Sequence, residues 1–188
     1  AMGGDVNVST GHNQMIISGS VLSEFAPHLV KILADIVINP AFPSSEIDRL
    51  KNDLKRNLSV QKSVPQNQAT EKFRSLIYKD HSYGRYFPTE AMLESYTIEK
   101  AKDFYEKNVG ARRTVVYAVG KFNEADVNRA IDEAFSSWKE GPEVDYPVAK
   151  PVTTDEVAII DRPNAPQTNV IIGLPTLDPS KPDYLPLQ

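Results

Sequence analysis

The chain contains no cysteine. Disulfides, thiolate zinc sites and a cysteine nucleophile are therefore excluded, and the redox compartment is left open. No stretch approaches the run of about 18 apolar residues that a membrane span needs. Positive charge is not in excess: 21 Lys and Arg stand against 25 Asp and Glu, a net charge of −4. No global basic field recruits nucleic acid or an anionic membrane, so neither is expected as a partner. The three histidines, His12, His28 and His81, have no His-x-x-x-His or similar ligand spacing. A Gly-rich phosphate loop, a Gly-x-Ser-x-Gly elbow and an EF-hand loop are all missing. The opening "AMGGDVNVS" has neither a basic segment nor an apolar one, so no signal peptide is visible. Its Ala-Met start reads as an expression scar, with the chain beginning inside a larger protein.

What is present is a foldable composition. Of 188 residues, 40% are hydrophobic and 24% charged, enough for a real core. "DVNVS" and "QMIISGSVL" are β-branched and partly alternating around Gly11 to Asn13, which predicts an antiparallel hairpin. From Pro27, Leu29, Ile32, Leu33, Ile36 and Val37 recur at helical spacing until "NP" at 39–40. A second helix is expected from Ser44 or Ser45, as cap, to about Lys62, and a third from Pro65. "DHSYGRYFPTEAML" reads as a loop. Thr97 caps "IEKAKDFYEKN", with Ala101, Phe104 and Tyr105 facing inward, and "TVVYAVG" at 114–120 predicts a buried strand. Asn123 caps a helix with the stripe Val127, Ala130, Ile131, Ala134, Phe135 and Trp138.

After Trp138 the composition changes. Nine of the fourteen prolines lie from Pro142 to Pro186, and residues 121–161 carry ten acids against four bases. Residues 141–155 therefore read as an extended linker. "EVAIIDR" and "TNVIIGLP" then predict two strands. The expected organisation is one domain over 1–140, the linker, and the opening strands of a second domain over 156–188.

The stretch "EIDRLKNDLKRN" at 46–57 raises a question of its own. On a helix, Leu50 and Asn57 point within roughly 20° of each other. They lie beside the stripe Ile47, Leu50, Leu54 and Leu58, so an amide is expected on the inner face. Asp53 is placed to pair with a Lys or Arg one turn away. Among the remaining polar clusters, His81 with Tyr83 and Arg85 in "KDHSYGR" is the best-placed surface site candidate. The plainer reading is a turn whose His and Tyr pack on the adjacent helix and whose Arg caps a C-terminus; lone loop histidines outnumber ligands. Arg112 and Arg113 could hold an anion, but a pair of solvated cations is the plainer reading. Trp138 reads as packing.

Taken in order, "GGDVNVST", "FAPHLVKILADIVINPAF", "EIDRLKND", "HSYGRYFPT", "TVVYAVGKF" and "DRPNAPQTNVIIGLPTLDPSKPDYLPLQ" resemble the M16 metallopeptidases. This is the pitrilysin and insulinase group, which includes mitochondrial processing peptidase. The resemblance covers nearly the whole chain and implies an α+β fold of the LuxS-like metallohydrolase type, an antiparallel sheet with helices packed on one face. Here that domain would be truncated, lacking its first strands and first helix. Active members close two such modules around unstructured peptides.

The resemblance also implies a zinc site in the family's catalytic halves. There an inverted His-x-x-Glu-His motif supplies two ligands and a general base. A glutamate on a later helix is the third ligand, with a supporting glutamate one heptad earlier. An ungapped alignment from "GGDVNVST" puts the supporting position at Leu50 and the ligand position at Asn57. Zinc in such a set wants an anionic carboxylate, for which a neutral amide is a poor substitute, and leucine offers no acceptor at all. Neighbouring Lys55, Arg56 and Leu58 do not rescue the site.

The leading expectation is thus a non-catalytic M16 half with no catalytic residue and no bound metal of its own. It would enclose peptide beside a catalytic half or subunit that holds the zinc. One alternative is a piece of an active M16 zinc metalloendopeptidase whose motif lies upstream. Another is a scaffold subunit, like the silent M16-like core proteins of respiratory complexes. The truncated sheet suggests that residues 156–174, or a second copy forming a homodimer through the sheet edge, cover the gap. Resemblance alone favours the bacterial cell envelope or periplasm as the compartment.

Overall fold

The computed structural model describes residues 2–143, 147–152, 155–177 and 181–184. The chain divides into two compact units, one of Ala1–Ile47 with Tyr96–Tyr146 and the other of Asp48–Ser95 with Pro147–Gln188.

In the first unit, β1 (Asp5–Thr10) and β2 (Met15–Ser20) form the expected antiparallel hairpin, with Val6 opposite Gly19 and Val8 opposite Ile17. Alternation puts Val6, Val8, Ile17 and Gly19 on one face. There α1 (Ala26–Ile38) packs on β2, and an added Cβ at Gly19 would lie 2.8 Å from Leu29 Cδ1. Proline in its first turn starts α1 where no N–H is needed.

The chain then turns through Phe42, held at φ +45°, a region that L-residues seldom adopt. Its ring sits edge-on to Tyr105, 5.9 Å between centroids, and the Tyr105 hydroxyl donates to Val37 O at 2.7 Å. Tyr105 belongs to α5 (Ile98–Asn108), which Thr97 caps by accepting from the Lys100 N–H. The Glu99 carboxyl is held below its ordinary value, first by its own backbone N–H and then by the Thr97 hydroxyl. The last helix of this unit, α6 (Glu124–Phe135), begins at Asn123, whose side chain accepts from the Asp126 N–H. It packs on α1, and Ala34, Val127 and Ala130 are buried.

The second unit holds α2 (Ile47–Ser63), α3 (Pro65–Tyr78) and the single-turn α4 (Glu90–Glu94). Thr89 caps α4 by accepting from the Met92 N–H, and α4 carries Leu93, buried to 1% exposure. This element lies within the stretch expected as loop. A 3₁₀ turn at Ser44–Glu46 precedes α2, with Pro43 rather than either serine at its cap position.

Several expectations are corrected. Residues 114–120 form no strand: Val115, Tyr117 and Val119 are 69%, 84% and 96% exposed. Residues 156–162 and 168–175 likewise form no strand and are mostly exposed, so the two strands expected there are absent. Among the described residues the hairpin is the only sheet. A strand needs a partner's carbonyls and amides, which an apolar alternating sequence cannot itself supply. Phe104 is 62% exposed rather than inward-facing. The α+β reading stands, as a helix-rich fold with a small antiparallel sheet.

Candidate functional site

On α2, Leu58 is buried while Ile47 and Leu54 are half-buried. Leu50 is 49% exposed and Asn57 is exposed. The heptad pair thus shares an outward face with Val60, which corrects the inner-face expectation. One of the four stripe residues, Leu50, reaches solvent, and a neutral amide beside it carries no desolvation cost.

The charged residues around this face are already engaged. Asp53 accepts from Arg49 at 3.3 Å and from Arg56 at 2.9 Å, as its spacing predicts. Lys51 Nζ donates to Glu94 O at 2.9 Å, and Lys55 pairs with the Glu94 carboxylate. The hydrogen bond from Lys55, followed by its charge, holds the Glu94 carboxyl below its ordinary value. This link joins α2 to α4 across 39 residues of sequence, and no short-range pattern could have revealed it.

From Leu54 to Ser63, α2 carries no Asp or Glu. Among the described residues, no group of three His, Cys, Asp or Glu side chains could hold a metal ion. A hydrocarbon side chain and a neutral amide do not fit the carboxylate positions of a zinc site, so the residues present do not fit the metal.

The second candidate cluster lies at the end of α3. Lys79 stops the helix at φ +42°, and a 3₁₀ turn at Ser82–Gly84 follows. His81 caps that turn: the Tyr83 N–H donates to His81 Nδ1 at 3.2 Å. His81 Nε2 lies 3.1 Å from the Pro147 carbonyl. Tyr83 meets the His81 ring at 4.5 Å between centroids and the Tyr78 ring of α3 at 5.6 Å. Gly84 is buried, and an added Cβ would lie 2.7 Å from Lys79 O. His81 and Tyr83 are half-buried, whereas Arg85 is exposed beyond the turn. The structure therefore brings His81 and Tyr83 together and leaves Arg85 outside the pair.

Arg112 and Arg113 are paired rather than free cations, with Arg112 exposed and Arg113 half-buried. Arg112 pairs with Glu140 at 2.5 Å and Glu143 at 3.3 Å, and Arg113 donates to the Pro142 and Glu143 carbonyls. Backbone bonds from Ala111 N to Lys139 O and from Arg112 N to Glu140 O run beside them.

A helix-rich α+β domain of this kind, with a short hairpin packed on a helix, matches a solved fold. The crystal structure of the peptidase M16 inactive domain from Pseudomonas fluorescens superposes with a TM-score of 0.68 at 20% identity, over 80% of this chain and 37% of that one. Residues 1–88 match the family described as Insulinase (Peptidase family M16), and residues 95–188 match the Peptidase M16 inactive domain. The chain belongs to the M16 peptidase family. It is similar to an uncharacterized zinc protease of Rickettsia felis, 28% identical over 92% of this chain and 41% of that protein. It is also similar to the mitochondrial-processing peptidase subunit alpha of Solanum tuberosum, 30% identical over 66% of this chain. The chain spans 41% and 25% of the lengths of these two relatives. No helix among the described residues is long and apolar enough to cross a membrane.

Proposed function

We propose that this chain is a non-catalytic module of an M16-type zinc peptidase, enclosing and binding unstructured peptide beside a catalytic half. One observation carries the reading: the helix aligned with the family's zinc glutamate has Leu50 and Asn57 in the ligand frame and no carboxylate after Asp53. A one-residue change of register restores no ligand, because every position from Leu54 to Ser63 lacks the anionic oxygen. Asp53, the nearest acid, is held between two arginines. The name of the Solanum tuberosum relative, a subunit alpha, supports a chain that works as one subunit beside another.

The test is zinc content by elemental analysis together with cleavage of a quenched fluorogenic peptide. Both are measured on the purified protein alone and after mixing with an M16 chain that carries His-x-x-Glu-His. The expected result is neither stoichiometric zinc nor cleavage from the protein alone, and faster cleavage once the two are mixed. One zinc per chain with cleavage by the protein alone would overturn it. The zinc-protease name of the Rickettsia relative favours a second reading, an active parent whose motif lies outside these residues, and stoichiometric zinc with cleavage from a longer parent chain carrying His-x-x-Glu-His would establish it.

A further inference from the structure

We infer that His81 is a two-ended clasp that fixes the path of the proline-rich segment 147–152 over the end of α3. The two ends are set by hydrogen-bond chemistry. A backbone N–H can only donate, so His81 Nδ1, 3.2 Å from Tyr83 N, is the accepting, unprotonated nitrogen. The proton of the neutral ring then lies on Nε2, where it donates to the Pro147 carbonyl at 3.1 Å. One tautomer thus satisfies both bonds, and the other satisfies neither.

A second fastening lies five residues on. The Val152 N–H donates to Ile77 O at 2.7 Å. Ile77 is in the last turn of α3, where carbonyls have no partner within the helix. The segment therefore completes the C-terminal cap of α3 while His81 holds its other end. The run carries a proline at its first fastening, Pro147, and another at 151, which restrict the backbone and stiffen it. A stiff segment held at two points has one path, whereas a segment held only at Val152 can swing. His81 is therefore a positioning residue. Its ring serves the turn on one side and the segment on the other, while Tyr83 meets it edge-on and is itself backed edge-on by Tyr78 of α3.

Two substitutions separate the clasp from a simple turn cap. His81→Asn places an acceptor near the Nδ1 position but falls short of Pro147. His81→Gln reaches toward Pro147 with a donor but loses the cap geometry. Amide hydrogen exchange on the intact protein reads both ends, at Tyr83 N–H and Val152 N–H. Losing one hydrogen bond speeds exchange by roughly tenfold. The expected pattern is crossed: His81→Asn exposes Val152 and spares Tyr83, whereas His81→Gln exposes Tyr83 and spares Val152. In the unsubstituted protein, nitrogen chemical shifts are expected to report the Nε2–H tautomer. A Val152 amide equally protected in His81→Asn, parallel loss at both amides in both variants, or the Nδ1–H tautomer would each overturn the inference.

Discussion

The α1–α6 pair and the aliphatic run at 114–120 are both apolar by composition and belong to the same compact unit, yet they end in opposite states. In the pair, Ala34, Val127 and Ala130 are each only 3% exposed. In the run, Val119 is 96% exposed. A helix closes its own backbone hydrogen bonds and needs only a facing surface, and two small alanines in the pairing admit close approach. A strand-forming run must find both a backbone partner and a covering layer. Hydrophobicity creates the demand for burial; backbone pairing decides whether it is met. Residues 156–162 and 168–175 of the other unit repeat the lesson, with Val157 and Ile172 near 90% exposure.

The sharpest way to break this contrast is to place the same charge in both regions. Val127→Asp buries an unpaired carboxylate and is expected to cost about 3 kcal/mol or more, unfolding a marginal domain. Val119→Asp is expected to stay within about 0.5 kcal/mol and to raise solubility. Urea denaturation of both variants measures the gap, and equal losses would show that 114–120 is buried in solution. Next in size is Leu93→Ala, expected to cost about 2–5 kcal/mol because the side chain is fully enclosed. The matching Leu50→Ala change on the exposed face of α2 is expected to cost well under half as much in the same assay. Asn123→Ala removes the cap of α6 and is expected to lower stability by about 1 kcal/mol. An unchanged denaturation midpoint there would mean that packing on α1 alone holds the helix start.

The smallest effect concerns pH. Because the Glu94 carboxyl is held below its ordinary value by Lys55, its stabilisation is present above the ordinary carboxylate range. It disappears as pH falls through the lowered value. Glu94→Gln should therefore be slightly less stable than the unsubstituted protein at neutral pH, with the difference closing in acid. A gap that persisted in strong acid would locate the contribution elsewhere, and the solvent exposure of the pair keeps the effect small.

Much of this was legible in the sequence because the signals were local. Pro27, Pro65, Thr97 and Asn123 mark helix starts through chemistry that acts within four residues. The hairpin around Gly11 to Asn13 is equally local. The missing carboxylates after Asp53 could also be read directly, since the absence of a donor requires no geometry. What failed was long-range. Periodicity placed Leu50 on the inner face, but only the packed neighbours decide how wide a helix's buried stripe is. Glu94 meets Lys51 and Lys55, and His81 meets Pro147, across separations at which no spacing rule operates. The helix carrying Leu93 escaped because a single capped turn is too short to show a period.

The near-touch of Gly110 and Gly141 has a mechanical consequence. A Cβ added to Gly110 would lie 2.6 Å from Gly141 Cα, and Gly141 adopts φ +76°. The two backbones approach closely here, fastened by the bonds from Ala111 and Arg112 to Lys139 and Glu140. Tension applied to the chain beyond Glu143 reaches this seam before it reaches α6. The seam, rather than the helix, is then the first part to bear load. A single alanine at either glycine would pry it apart and set a lower rupture force.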